Sequence, residues 1–277
     1  MIIHSDWHIH SLASYDAKLP LETIANTAHE YGFRRLGITD HANFNDVKFT
    51  QDLHHSAQIV SEFQMQEPRL VLGVELTPIE LPLFRHIEAT GTRDGYVAPI
   101  QDTPYGIELA QTKQQLMDLG VRYAIGAAHW RVDVPNRNLL PQDLEPNIRE
   151  WHRQQMWLAC DERVTILGHP WYHGKQLWYE DFSAIPLSMH DELGAALKEN
   201  HKYAECNGSF FTAGHSERFR RQYAEFLRLL FEMGVPITYG SDAHNTYPPL
   251  HQATEEQLTA VGFADGDIVE VREEDLW

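Results

Sequence analysis

The stretch 2–10, Ile-Ile-His-Ser-Asp-Trp-His-Ile-His, decides how the rest of the chain is read. A short run of strand-forming residues ends in two imidazoles two positions apart. On an extended chain alternate side chains share a face, so His8 and His10 point the same way. Two such nitrogens suit a borderline divalent cation such as Zn²⁺. Alone, the pair is weak evidence in a chain with 17 histidines. Its weight comes from repetition. Later apolar runs end in Thr39-Asp40-His41, Gly73-Val74-Glu75, Ala128-His129, Gly168-His169-Pro170 and Ser241-Asp242-Ala243-His244. With Asp16, in the polar loop after the first run, nine ligand-type side chains stand at strand ends: His8, His10, Asp16, His41, Glu75, His129, His169, Asp242 and His244.

Between these runs the period changes. Strands are expected at 2–7, 35–39, 69–76, 121–127, 164–167, 203–206 and 235–239. Helices are expected at 20–31, 51–65, 107–119, 144–159, 191–200, 217–233 and 251–260. In the first helix Leu21, Ile24, Ala25 and Ala28 recur at helical spacing and Gly32 supplies a stop. Strands alternating with helices of this length predict parallel βα units. An open doubly wound sheet would gather its site at one switch point, not at nearly every strand end. A barrel brings all its strand ends around one axis. The expectation is therefore an α/β fold: a single domain over 1–277, a distorted seven-unit (β/α) barrel with a metal site at the C-terminal mouth. Two stretches break the repeat. Residues 77–106 suggest a hairpin over 85–97, turning at Gly91 or Asp94-Gly95. Residues 171–186 are crowded with aromatics, among them Trp171, Tyr172, Trp178 and Phe182. Each follows a ligand-type residue, so both are expected at the mouth, as lids or as an aromatic minicore.

Composition narrows the function classes. The chain has 277 residues and 43% hydrophobic content, enough for one large core, with no apolar run of membrane-spanning length. Twenty-two basic against 40 acidic residues leave a net charge of −18. Such a surface repels nucleic-acid backbones and anionic lipid, so neither nucleic acid nor membrane is an expected partner. A small, anionic substrate drawn to local cations is expected instead. The start of the sequence has no basic region followed by an apolar stretch, and no CxxC occurs, so Cys160 and Cys206 read as buried, reduced thiols of a cytoplasmic protein. His29, His54, His55, His86, His152, His190, His201 and His251 lie away from the expected strand ends and read as surface groups. Glu75 is different. A carboxylate inside an apolar strand costs several kcal/mol, about 2–7, without a partner, and bridging two cations is the economical explanation.

In order, Asp-Trp-His-Ile-His, Ile-Thr-Asp-His, Gly-Val-Glu, the isolated His129, Gly-His-Pro, Glu-Cys-Asn and Gly-Ser-Asp-Ala-His resemble the polymerase and histidinol phosphatase (PHP) superfamily of metal-dependent phosphoesterases, from Asp6 to His244. The resemblance implies a distorted barrel with three divalent metal ions. The first would take His8, His10, Glu75 and Asp242; the second Glu75, His129 and His169; the third Asp16, His41 and His244. Zinc, manganese and iron all suit such nitrogen and oxygen donors. The implied activity is a histidinol-phosphatase-like phosphoesterase acting on a small phosphorylated metabolite through a metal-bridging hydroxide, with Glu75 and Asp242 as its catalytic groups. Histidinol phosphatases of the family carry an Arg soon after the Asn of strand six. Here Asn207-Gly208-Ser209-Phe210-Phe211-Thr212 has none. Asn207, Arg131 and Arg218 are therefore the substrate-binding candidates, with Arg220 behind them, and His173, His215 or Tyr172 could protonate the leaving group. A hydrolase of a non-phosphate ester, lactone or amide is the alternative. A non-catalytic metal-stabilised scaffold is the other, which the complete ligand set opposes.

Overall fold

The computed structural model of the chain describes residues 3–65, 67–99, 105–130, 144–171, 181–212, 214–247 and 250–277. Strands β1 (Ser5–Ile9), β2 (Arg35–Ile38) and β3 (Arg69–Leu76) pair in parallel. A short antiparallel pair, β4 (Ile79–Glu80) and β5 (Ile107–Glu108), then stands outside the sheet. Strands β6 (Tyr123–Gly126), β7 (Ile166–Leu167), β8 (Tyr203–Asn207) and β9 (Ile237–Gly240) complete a seven-stranded parallel sheet in chain order. Its two edges meet at the mouth. Ile9 bridges Ala243, His10 N–H donates to the Ala243 carbonyl at 2.9 Å, and Asp242 N–H to the His8 carbonyl at 2.7 Å. The result is a nearly closed single-domain barrel, and the seam that closes it runs through two of the ligand-type motifs.

Among the described residues eight α-helices wrap the barrel: α1 (Leu21–Glu30), α2 (Val47–Glu62), α3 (Leu81–Thr90), α4 (Lys113–Asp118), α5 (Leu144–Cys160), α6 (Leu187–Glu199), α7 (Glu217–Glu232) and α8 (His251–Ala260). Each buries one stripe. On α7, Phe219, Tyr223, Phe226, Leu227 and Leu230 face the sheet, and Ser216 caps the start by accepting from Phe219 N–H at 3.1 Å. Strand β3 shows the layering. Leu72, Val74 and Leu76 face the helices, whereas Val71 and Glu75 point into the barrel. No helix among the described residues is long and apolar enough to cross a membrane.

Several expectations need correction. Residues 85–97 are no hairpin: α3 occupies 81–90. Leu83 and Ile87, one helical turn apart, bury against Phe44, Phe49 and Ile79, and Gly91 in the left-handed region (φ 74°) ends the helix. Residues 107–119 are not one helix. Ile107 and Glu108 pair with β4, and α4 starts only after Thr112, where a capping box with Gln115 sets its first turn. Helix α2 starts at Val47, not 51, because Asp46 accepts from Phe49 N–H at 3.0 Å. His190 and His251 are buried, not surface groups, and Cys160 is exposed while Cys206 is buried. Of the aromatic stretch 171–186, residues 172–180 lie outside those described. Phe182 packs beneath α7, against Phe219 and Phe226.

Candidate metal centre

The ligand-type side chains converge because the strand ends do. In β1 the register slips between Asp6 and Ile9, so three positions there face two on β2. Trp7 thereby fills the barrel interior against Tyr123 while His8 and His10 both reach the mouth. Two residues that supply side chains to the cluster hold left-handed backbone: His169 at φ 24° and Asp242 at φ 55°. Such conformations cost roughly 1–3 kcal/mol each in non-glycine residues and concentrate at functional sites.

Glu75 is the hub. Only 1% exposed, it lies 2.6 Å from His41 Nδ1, 3.2 Å from His169 Nε2, 3.3 Å from His129 Nε2 and 3.6 Å from both His8 Nε2 and His10 Nε2. His8 Nε2 and His10 Nε2 are 3.1 Å apart, and Asp242 Oδ1 lies 3.6 and 3.4 Å from them. Asp16 Oδ2 reaches His41 Nε2 at 3.2 Å and His244 Nε2 at 3.5 Å. Among the described residues three triplets draw their donor atoms within 4.8 Å of one another: His8, His10 and Glu75; Glu75, His129 and His169; His10, His41 and His244. Thus His10 serves two groups and Glu75 two, while Asp16 joins the third through its contacts with His41 and His244.

The donor set fits divalent cations. Glu75 Oε2 approaches His41 Nδ1 closely yet has no hydrogen-bond partner of good geometry, although it is buried. A buried carboxylate oxygen without a proton donor of good geometry suits a cation as its partner. Burial works to raise the Glu75 pKa, but His129, His41 and His8 outweigh it and hold the carboxyl well below its usual range. Asp242 is likewise held low, with His8 and His10 prevailing over burial. Burial opposes protonation of His41, yet Glu75 and Asp16 raise it to about 10; burial, then His41 and His244, depress His10 to about 3. Some imidazoles therefore hold protons where a divalent cation would compete for the same lone pairs.

Three rings are aimed from behind. His8 Nδ1 lies 2.7 Å from Glu205 Oε1, leaving Nε2 for the centre. Thr77 Oγ1 donates to Asn43 Oδ1 at 2.7 Å and so accepts from His129 Nδ1 at 2.8 Å. His244 Nδ1 donates to the Asp242 carbonyl at 2.9 Å. Fixing the tautomer through the remote nitrogen is how proteins orient metal-binding imidazoles.

A PHP domain family model matches residues 6–209. The chain belongs to the PHP domain family. No curated protein matches its sequence. Among solved structures, histidinol phosphate phosphatase from Lactococcus lactis, complexed with Zn, L-histidinol and phosphate, is similar with a TM-score of 0.65 and 17% identity over 94% of each chain. That likeness concerns the fold. Ochratoxinase from A. niger matches at a TM-score of 0.37 and 14% identity, over 87% of this chain and 62% of its own.

In this PHP domain Glu205 stands behind the ligand-type residues, a place that the Glu-Cys-Asn motif alone does not reveal. Buried in β8, it receives the His169 N–H as well as facing His8, and Gly240 makes room for it. A Cβ at 240 would stand 2.1 Å from Glu205 Oε1 and 2.6 Å from His8 Cβ. Asp6 and Asp40, which flank the motifs, play similar supporting parts. Asp6 accepts from Ser241 N–H (2.9 Å) and Tyr247 O–H (3.2 Å), tying the barrel seam, and burial raises its pKa to about 6. Asp40 accepts from Ser11 N–H (2.6 Å) and from the hydroxyls of Ser11 and Ser56 (both 2.7 Å), which fixes the loop after β1. A carboxylate one or two places before a ligand-type histidine was the available signal.

Among the substrate candidates, Asn207 is at the centre: its Nδ2 donates to Asp242 Oδ2 at 3.2 Å. Arg218 instead pairs with Asp181 on an exposed face of α7. Arg220 donates to the Thr212 carbonyl at 3.2 Å, and neither arginine lines the cavity over the cluster. Arg131, Tyr172 and His173 lie outside the described residues. His215 is half-buried among Phe210 and Phe219.

Proposed function

We propose that this chain is a metal-dependent hydrolase, most specifically a phosphoesterase acting on a small phosphorylated metabolite. The observation that carries the reading is Glu75: one buried carboxylate with five imidazoles within 3.6 Å, beneath a cavity of about 480 Å³ at the barrel mouth. Family membership supports the same reading. The proposed ligands are His8, His10, Glu75 and Asp242 for one ion, Glu75, His129 and His169 for a second, and Asp16, His41 and His244 for a third. Bound divalent ions would bring the pKa of water towards neutrality and neutralise phosphoryl oxygens. Glu75, shared by two of the donor groups, would be a ligand to two ions. Asp242, oriented by the Asn207 amide, would steer the attacking water and take up its proton. The two cysteines carry free thiols, which suits the reducing cytoplasm.

The phosphate needs a cation from the protein as well, and Arg131, two residues beyond His129, remains the proposed clamp. Arg218 is less suited, being engaged with Asp181. No Lys or Arg is among the described residues lining the cavity. That observation favours keeping the second reading, hydrolysis of an uncharged ester, lactone or amide. The experiment is elemental analysis of the purified protein coupled to a panel of phosphomonoesters, phosphodiesters and lactones. Metal near three equivalents with phosphomonoester turnover is expected. Arg131→Ala should lower kcat/KM by roughly ten- to a hundredfold without loss of metal. Turnover of lactones alone would favour the second reading.

A further inference from the structure

One wall of the mouth is aromatic. Tyr15, in the loop after β1, is 54% exposed although its ring centroid stands 5.3 Å from that of His41. Its edge-on neighbour at 5.5 Å is the buried Phe49, which packs at 5.3 Å against the buried Phe44. Phe44 stacks on Trp130 at 5.7 Å with planes 6° apart, and Trp130 lines the cavity beside His129. Four rings thus run in an arc from Asp16 to His129. Helix α3 closes the rear of the arc through Leu83 and Ile87. Tyr15 is held in orientation without being covered, although a ring of its size gains free energy by burial. An open, buttressed face beside a metal-type cluster is arranged to receive another flat group.

Charge narrows the ligand further. The carboxylates lining the cavity among the described residues are Asp16 and Asp242, both engaged by imidazoles. No further acid there is placed to receive an ammonium group. Among the described residues the cations near the arc are Lys48, 5.5 Å from the Tyr15 centroid and paired with Asp52, and Arg93, 4.3 Å from the Phe44 centroid and paired with Asp46. With both cations paired and both carboxylates already engaged, the surroundings of the ring suit a neutral partner.

We propose that Tyr15 is a specificity residue that stacks on the leaving group, and that the substrate is a phosphoester whose leaving group carries a planar aromatic ring without an ammonium substituent. This rests on the phosphoesterase reading and deepens it. A stacked pair contributes roughly three- to tenfold in affinity beyond the area it buries.

The test uses benzyl phosphate and cyclohexylmethyl phosphate, alkyl leaving groups of similar size and basicity that differ in flatness. The metal-loaded wild type should prefer the benzyl ester by about three- to tenfold in kcat/KM. Tyr15→Leu should bring that ratio close to one, and Tyr15→Phe should keep it, with metal content reporting that each variant is folded. 4-(Aminomethyl)benzyl phosphate should lose the advantage of the benzyl ester. Hydrolysis of both phosphates without preference, or a preference that survives Tyr15→Leu, overturns the stacking assignment and leaves the phosphoesterase reading standing. Hydrolysis of benzyl acetate over cyclohexylmethyl acetate, with neither phosphate turned over, overturns the phosphoesterase reading and retains Tyr15 as the stacking residue. Equal turnover of the aminomethyl and plain benzyl esters overturns the exclusion of ammonium groups.

Discussion

At the base of the barrel, Trp7, Tyr123, Ile166, Val271 and Leu276 form an apolar plug. Its polar atoms are settled within the chain: Tyr123 O–H donates to the Trp7 carbonyl at 2.6 Å, Tyr203 O–H to Asp275 at 2.6 Å and Trp277 N–H to the Arg122 carbonyl at 2.6 Å. At the mouth, imidazoles and carboxylates crowd together and His169 and Asp242 hold strained backbone. Charged groups buried at such density oppose folding until cations or protons compensate them. The base therefore carries the stability that lets the mouth keep a costly arrangement, the division of labour general to βα barrels. It also explains why a chain with this many acids can bury several of them at one end.

The sharpest way to break this comparison is to remove the hub of the mouth. Glu75→Ala should release more than one equivalent of metal and lower kcat by about a thousandfold or more, the scale of losing metal-assisted catalysis. Elemental analysis that finds all the metal retained would end its bridging role. At the base, Ile166→Ala should cost about 3 kcal/mol of stability through an unfilled cavity, with metal stoichiometry preserved; urea unfolding beside elemental analysis reads both. If metal were lost in proportion to stability, the two ends would not be separable.

A finer test falls on the groups behind the ligands. Glu205→Gln keeps the shape but removes the charge facing His8, and metal affinity should fall about ten- to a hundredfold while apo stability changes little; competition with a chelator measures it. Unchanged affinity would reduce Glu205 to packing. The smallest effect concerns His190, buried against Trp171 and Phe226 away from the cluster. Burial lowers its pKa to about 4, so the unfolded chain takes up a proton first as pH falls. Its contribution is whole above pH ~6.5 and declines towards pH 4. His190→Phe should therefore lose about 1 kcal/mol less than wild type between pH 7.5 and 5.5. Parallel denaturation curves for the two proteins would refute the neutral assignment.

The long periodic elements were legible. Strand β3 and helices α1, α5, α7 and α8 stand within about two residues of where apolar spacing puts them, since one buried face dictates their pattern. The elements over 79–90 and 107–118 escape sequence patterns because they are short and their partners remote. Nothing local distinguishes Leu83 and Ile87 on a helix from a hairpin's alternation; burial against Phe44 and Phe49 does. The burial of His190 and His251 is hidden from the sequence for a similar reason, as their aromatic neighbours lie on other helices and loops.

By itself the sequence determined that strands and helices alternate, that the strands run parallel, and that ligand-type residues stand at their ends. Parallel strands in a barrel share one C-terminal rim, so side chains at those ends converge without further instruction. Tertiary structure alone decided what stands behind and around them. Glu205 meets His8 across 197 residues of sequence because β8 and β1 flank β9, where Gly240 leaves space for the contact. Tyr15 stays open while Phe49 and Phe44 hold it, because α2 and α3 close behind the rings rather than over them. Contacts of that kind depend on distances between elements, and no spacing along the chain encodes them.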